Sequence, residues 1–348
     1  MPPFKNGHDL HSAMSPGSAE LVLPRPGKLP NPLIAPISAP TEAAFIETFG
    51  TLLPPAKYLH TSNGKAAYYE LLPSTPASSP GGGKQVPDHV LLIHGVQTPA
   101  LGMLPLARTL QVSFPYTHFV LVDLWGHGLS DTPVVPHDSG LFHELLDALL
   151  DQLAWPSVHL VGFSFGGSLT VGYAGSRPSR VQSFTLVAPA GLIPSSIFTD
   201  EQLGYLRGGD DEAAARRYVI AFLEGGELVV PADWKERVEK GEIVAEAVRA
   251  WQMREHPGHA ASVVAVVRDG GVIDNDAEFV KAVGTGIPSL AVLGGTDDVC
   301  SEAQLTAVGF INIDVVPQVG HGVVRERVPE VAASISSFWR KLSETSSD

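Results

Sequence analysis

Cysteine is all but missing: Cys300 stands alone among 348 residues, so no disulfide can close within the chain and no cysteine-based metal site can be built. Positive charge is scarce as well. The 23 Lys and Arg are outweighed by 37 Asp and Glu, a net charge of −14. Without a basic stripe, neither nucleic acid nor an anionic membrane surface is an expected partner. No apolar run approaches the roughly 18 residues of a membrane span. The N-terminus lacks the basic-then-apolar pattern of a secretory signal, and the C-terminal Glu344-Thr345-Ser346-Ser347-Asp348 is no retention or peroxisomal address. These absences lead to the expectation of a soluble, cytoplasmic protein with no membrane span and no nucleic-acid partner. Nothing in the sequence marks an oligomeric state.

What is present is apolar and periodic. Hydrophobic residues make up 44% of the chain, enough for a large core. Residues 1–45 are the exception, holding nine of the 29 prolines with no apolar period. Proline at that density opposes helix and sheet alike, so this segment reads as an extended or disordered arm. His8 and His11 lie in it with no cysteine nearby and only Asp9 between them, and are read as arm residues, not metal ligands.

From Lys57 the pattern changes. Two alternating runs, 58–61 and 66–72, flank Ser62-Asn63-Gly64-Lys65, a hairpin in which Asn-Gly supplies positive φ. Residues 73–88 form a low-complexity surface loop. Its Gly81-Gly82-Gly83 is no phosphate cradle, because no Gly-Lys-Ser/Thr follows. Buried strands are then expected at 89–93, 119–123, 158–161, 181–187, 288–293 and 311–316. Helices are expected at 102–111, 141–153, 168–174 and 329–342. In the second, apolar residues at 142, 145, 146, 149, 150 and 153 give a 3.6-residue period. Strands alternating with helices predict an α/β fold, a mostly parallel sheet with helices on both faces. Residues 192–286 break that rhythm with helices at 200–207, 211–223, 231–255 and 259–268, and are read as a cap. The core is then 46–191 with 287–348.

Chemistry concentrates at Gly162-Phe163-Ser164-Phe165-Gly166. A Gly-x-Ser-x-Gly between a strand and a helix is a nucleophile elbow, whose sharp turn exposes the serine hydroxyl at the top of a sheet. The two glycines are small because backbone passes close to them. Val319-Gly320-His321-Gly322 follows the last strand, and Leu293-Gly294-Gly295-Thr296-Asp297-Asp298 follows the one before it.

These motifs, in this order across residues 58–342, resemble the α/β-hydrolase family with a helical cap between strands six and seven. The resemblance implies a Ser, acid, His triad: Ser164 as nucleophile, His321 as general base, and Asp297 as the acid that orients it, with Asp298 as the alternative register. It implies oxyanion donors at the backbone N–H groups of Phe165 and Val96. Gln97 is either an added side-chain donor or a surface residue. His94 is structural. Asp123 to Ser130 resembles the family's Asp-x-x-Gly-x-Gly-x-Ser turn, which makes His127 structural too, and Cys300 is read as packing.

The function implied is hydrolysis of a carboxylic ester or related acyl substrate, small and apolar, through an acyl-enzyme, with no metal or organic cofactor. Because His321 must be neutral to accept a proton, activity is expected to rise with pH. Lactone or C–C hydrolysis on the same fold stays open, although Gly322-Val323 stands where C–C hydrolases tend to carry an aromatic. So does a non-catalytic ligand receptor that keeps the triad. Trp234, Trp251, Tyr205, Tyr218 and Phe222 are candidates both for lining the cap pocket and for packing within it.

Overall fold

The computed structural model describes residues 21–30, 32–75, 86–208 and 211–345. The glycine-rich loop and the His8/His11 pair fall outside the described residues. One sheet of eight strands forms the centre: β1 (Lys57–Thr61), β2 (Gly64–Leu71), β3 (His89–Ile93), β4 (His118–Val122), β5 (Val158–Phe163), β6 (Val181–Val187), β7 (Ser289–Gly294) and β8 (Ile313–Val316). They lie side by side in the order β1-β2-β4-β3-β5-β6-β7-β8. β2 runs antiparallel to β1 and β4, and the remaining pairs are parallel. The architecture is the α/β fold expected from the sequence.

The apolar runs of the central strands follow from burial on both faces. Leu91 and Ile93 of β3 face one layer with the helices Ser139–Gln152 and Phe165–Ser176. Val90 and Leu92 face the other with Leu104–Ser113 and Val328–Thr345. The hairpin is tighter than expected: Thr61 pairs directly with Gly64, and positive φ falls on Gly64 rather than Asn63.

Three helix boundaries differ from expectation. The arm ends early, because Thr41 caps a helix, Glu42–Phe49, whose Phe45 and Phe49 are buried. Before it, Leu23 is buried and Ile37 pairs with Thr132, so these two residues lie against the domain. The single helix expected over 231–255 is two, Trp234–Glu239 and Ala245–Glu255, broken where Gly241 takes φ +84°. The helix Asp276–Gly284, inside the block read as cap, packs along the elbow helix instead. There Lys281 lies 3.2 Å from where a Cβ on Gly175 would stand.

Other helices between β6 and β7 also pack onto the core. Trp251 of Ala245–Glu255 stands edge-on to Phe45 and Phe49, with ring centres 5.5 and 5.9 Å away. Helix His259–Asp269 meets the turn after β4. Among the described residues no helix is long and apolar enough to cross a membrane.

Candidate active site

Ser164 joins the end of β5 to the helix Phe165–Ser176 with φ 54° and ψ −118°, a conformation that costs any residue bearing a Cβ. The surrounding backbone holds it there. Its N–H donates to the Val187 carbonyl at 3.1 Å, and its own carbonyl accepts from Gly167, Ser168 and Ala190. A Cβ on Gly162 would run into the Gly166 carbonyl, and one on Gly166 into the Ile93 carbonyl. The close approach expected of both glycines is therefore what the elbow contains.

The loops after β7 and β8 are stitched together above it. Gly295 N–H donates to Val316 at 2.7 Å and Thr296 N–H to Val319 at 2.9 Å, while Gly294 lies against the Gly320 carbonyl too closely for a side chain. This brings His321 between Ser164 and Asp297. The Ser164 hydroxyl donates to His321 Nε2 at 2.9 Å, and His321 Nδ1–H donates to the Asp297 carboxylate at 3.2 Å. A carboxylate only accepts, so Nδ1 carries the proton and Nε2 faces the serine as an acceptor. The Asp297 side chain is fully buried, whereas that of His321 is 29% exposed. Asp297 Oδ1 also accepts the Val299 N–H at 2.8 Å, which turns the carboxylate inward. Asp298 is exposed to solvent. Of the two registers, the structure brings Asp297 to the histidine.

Phe165 opens its helix, where the first N–H groups have no intrahelical acceptor. Gly95 presses on Ser164, 2.8 Å from its Cβ to where a side chain would begin, so Val96 starts its turn beside the serine. Gln97 is not a surface residue. It is 3% exposed with φ 65°, and its carbonyl accepts from Gln252 Nε2 at 2.6 Å.

The other marked residues are structural. His94 donates from Nδ1 to the Gly95 carbonyl and accepts the Leu124 N–H at Nε2, and burial pushes it down to about 4. Asp123 accepts from Ala100, Leu129 and Tyr69, yet burial raises its carboxyl to about 6. Ser130 fastens the same turn, donating to the Asp123 carbonyl at 2.6 Å. Burial drives the Cys300 thiol up to about 12, which makes it an inert packing group.

Sequence reasoning missed how the helical block is tied down. The Gln252 side chain accepts from Gly128, His256 bonds the Ser130 carbonyl and His259 the Gly126 carbonyl. The rings of His127 and His259 meet edge to face, 4.9 Å apart, and His94 lies 5.2 Å from His127. The only local signal was His256-Pro-Gly-His259 between two helices. Among the described residues no group of His, Cys, Asp and Glu is placed to hold a metal ion.

Known proteins share parts of this sequence and its fold. Residues 88–233 match the family model described as alpha/beta hydrolase fold. Monoacylglycerol lipase ABHD6 of Rattus norvegicus is 33% identical over 265 residues, 72% of this chain and 74% of that protein. The dihydrolipoyllysine-residue acetyltransferase component of the acetoin cleaving system of Pseudomonas putida is 28% identical over 64% of this chain. The match spans only 56% of that protein. A crystallised hydrolase from Pseudomonas aeruginosa PA01 superposes with a TM-score of 0.59 at 21% identity, over 81% of this chain and 97% of that one. The chain belongs to the α/β-hydrolase family.

Proposed function

We propose that this protein is a serine hydrolase that cleaves a carboxylic ester of a small molecule through an acyl-enzyme on Ser164. The observation that carries the reading is the 2.9 Å hydrogen bond from a serine on a strained elbow to a histidine backed by a buried carboxylate. Ser164 Oγ attacks the acyl carbon as its proton passes to His321 Nε2. The backbone N–H groups of Val96 and Phe165 receive the negative oxygen. His321 returns the proton to the departing alcohol, then takes one from the water that releases the acid. Asp297 holds the imidazole in the tautomer this requires and stabilises its charged form. The similarity to a monoacylglycerol lipase supports an ester with an apolar acyl part. The helices between β6 and β7 act as the cap over this site.

The test is labelling with a fluorophosphonate alongside turnover of p-nitrophenyl esters. Ser164 is expected to carry the label, and Ser164→Ala to lose both label and at least 10³-fold in turnover. A folded wild type that neither labels nor turns over more than once would overturn the reading.

A further inference from the structure

The turn that carries the Val96 N–H is held at several points, and one of the holds comes from the helical block. The Gly95 carbonyl and the Val96 N–H share one planar trans peptide, so fixing the carbonyl fixes the direction of the N–H. The His94 ring does this, its Nδ1–H donating to the Gly95 carbonyl at 2.6 Å while Nε2 accepts the Leu124 N–H at 2.9 Å. Farther along, the Ala100 N–H donates to the Asp123 carboxylate at 2.9 Å. Between these two anchors Gln97 takes φ 65°, a conformation that a residue with a Cβ disfavours. Left alone, the chain there would relax to negative φ and turn the neighbouring Val96 peptide with it.

Gln252 opposes that relaxation. It lies on the helix Ala245–Glu255 with its side chain wholly buried. Its Nε2 donates to the Gln97 carbonyl at 2.6 Å, and its Oε1 accepts the Gly128 N–H at 2.7 Å. A side-chain amide offers a donor and an acceptor on one planar group, which is what a carbonyl and an N–H on two separate turns require. Without it both backbone groups would be buried and unpaired, a costly state. Gly128 is itself anchored, since the next N–H, that of Leu129, donates to Asp123 at 3.0 Å. The Gln97 side chain is tied to the same block. Burial raises the Glu224 carboxyl above its ordinary value, against the charge of Arg249 and a hydrogen bond from Gln97. Arg249, on the same helix as Gln252, pairs with Glu224 at 3.2 Å.

We infer that Gln252 is a positioning residue for the proposed hydrolysis: through its amide the helical block keeps the turn at Gln97 in its strained form and the Val96 N–H aimed at the developing oxyanion. The inference rests on the hydrolase reading. It adds that the helices between β6 and β7 help to assemble the oxyanion hole as well as covering it.

The experiment replaces Gln252 by Met, which keeps the length and loses both hydrogen bonds, and by Glu, which keeps the acceptor for Gly128 and loses the donor for Gln97. On p-nitrophenyl esters each variant is expected to lose about ten- to 300-fold in kcat with KM within about threefold, because the interaction lost is made in the transition state. Affinity for an alkyl trifluoromethyl ketone, whose adduct with Ser164 puts an oxyanion on the same N–H groups, should fall by the same factor as kcat/KM. His256→Ala frees the Ser130 carbonyl at the same seam without touching the turn, and should keep kcat within about threefold. Folded Gln252 variants with kcat within about threefold of wild type overturn the inference and leave the hydrolase reading standing, as does a loss that His256→Ala reproduces. Hydrogen exchange reads the turn without turnover. The peptide covering residues 94–102 should exchange at least about tenfold faster in Gln252→Met, while residues 158–163 stay as in wild type. That outcome supports the hold on the turn even if no ester is cleaved, and unchanged exchange over 94–102 counts against it.

Discussion

Two parts of the molecule use histidine in opposite ways. At the site, His321 is partly exposed, reaches a serine with one nitrogen and a buried carboxylate with the other. At the seam between the turn after β4 and the helix His259–Asp269, His94, His127, His256 and His259 are buried among one another with no carboxylate bonded to any ring. There each ring bonds a backbone carbonyl and stays neutral, because burial penalises the charged form. The same side chain bridges a serine and a carboxylate in one place and is a polar brick in the other. The partner, not the residue type, decides.

Removing the partner is the strongest way to break the contrast. Asp297→Asn keeps the shape but lets the wrong tautomer face Ser164, and kcat/KM on p-nitrophenyl esters is expected to fall about 10⁴-fold. A loss under tenfold would mean that Asp297 does not set the state of His321. The seam responds to acid instead. Unfolded histidines take up protons near 6.5, whereas His94 and His137 resist to about 4 and His259 to about 3. Their contribution to stability is therefore complete above pH 6.5 and drains as pH falls from there toward 4, by on the order of several kcal/mol in sum. Denaturant unfolding at pH 7.5, 6 and 5 checks this. The double variant His256→Gln, His259→Gln should show a shallower decline, and a wild-type midpoint that does not move across that range would refute it. The smallest effect is reserved for Asp298→Asn. Exposed and without a hydrogen bond to His321 among the described residues, it should change kcat/KM by no more than about twofold, and a large loss would move the acid to the other register.

The elbow was legible in the sequence because its geometry is local: strand, strained turn and helix are consecutive, and the glycines are dictated by backbone contacts. The place of His321 was legible for the same reason, as a histidine between glycines after the last strand. Asp297 was legible over Asp298 only as a preference, since neighbouring residues on a loop share a pattern and it is the inward turn to Val299 that brings Asp297 to the histidine. The helix Glu42–Phe49 was hidden by the prolines around it, although Thr41 and the spacing of Phe45 and Phe49 announce it. The helix Glu302–Ala307 was passed over despite its Ser301 and Gln304 capping box.

The segment before the first helix bears on how the chain assembles. Arg268, its side chain 3% exposed, donates to the carbonyls of Leu23 and Pro24, contacts that span 245 and 244 positions. On the ribosome residues 23 and 24 emerge early and wait for most of the protein to follow before their anchor exists. Leu23, which ends up buried, is left uncovered for that interval. Docking of this strap is thus a late event, and a chain stalled before residue 268 would display an apolar, unfastened start for chaperones to hold.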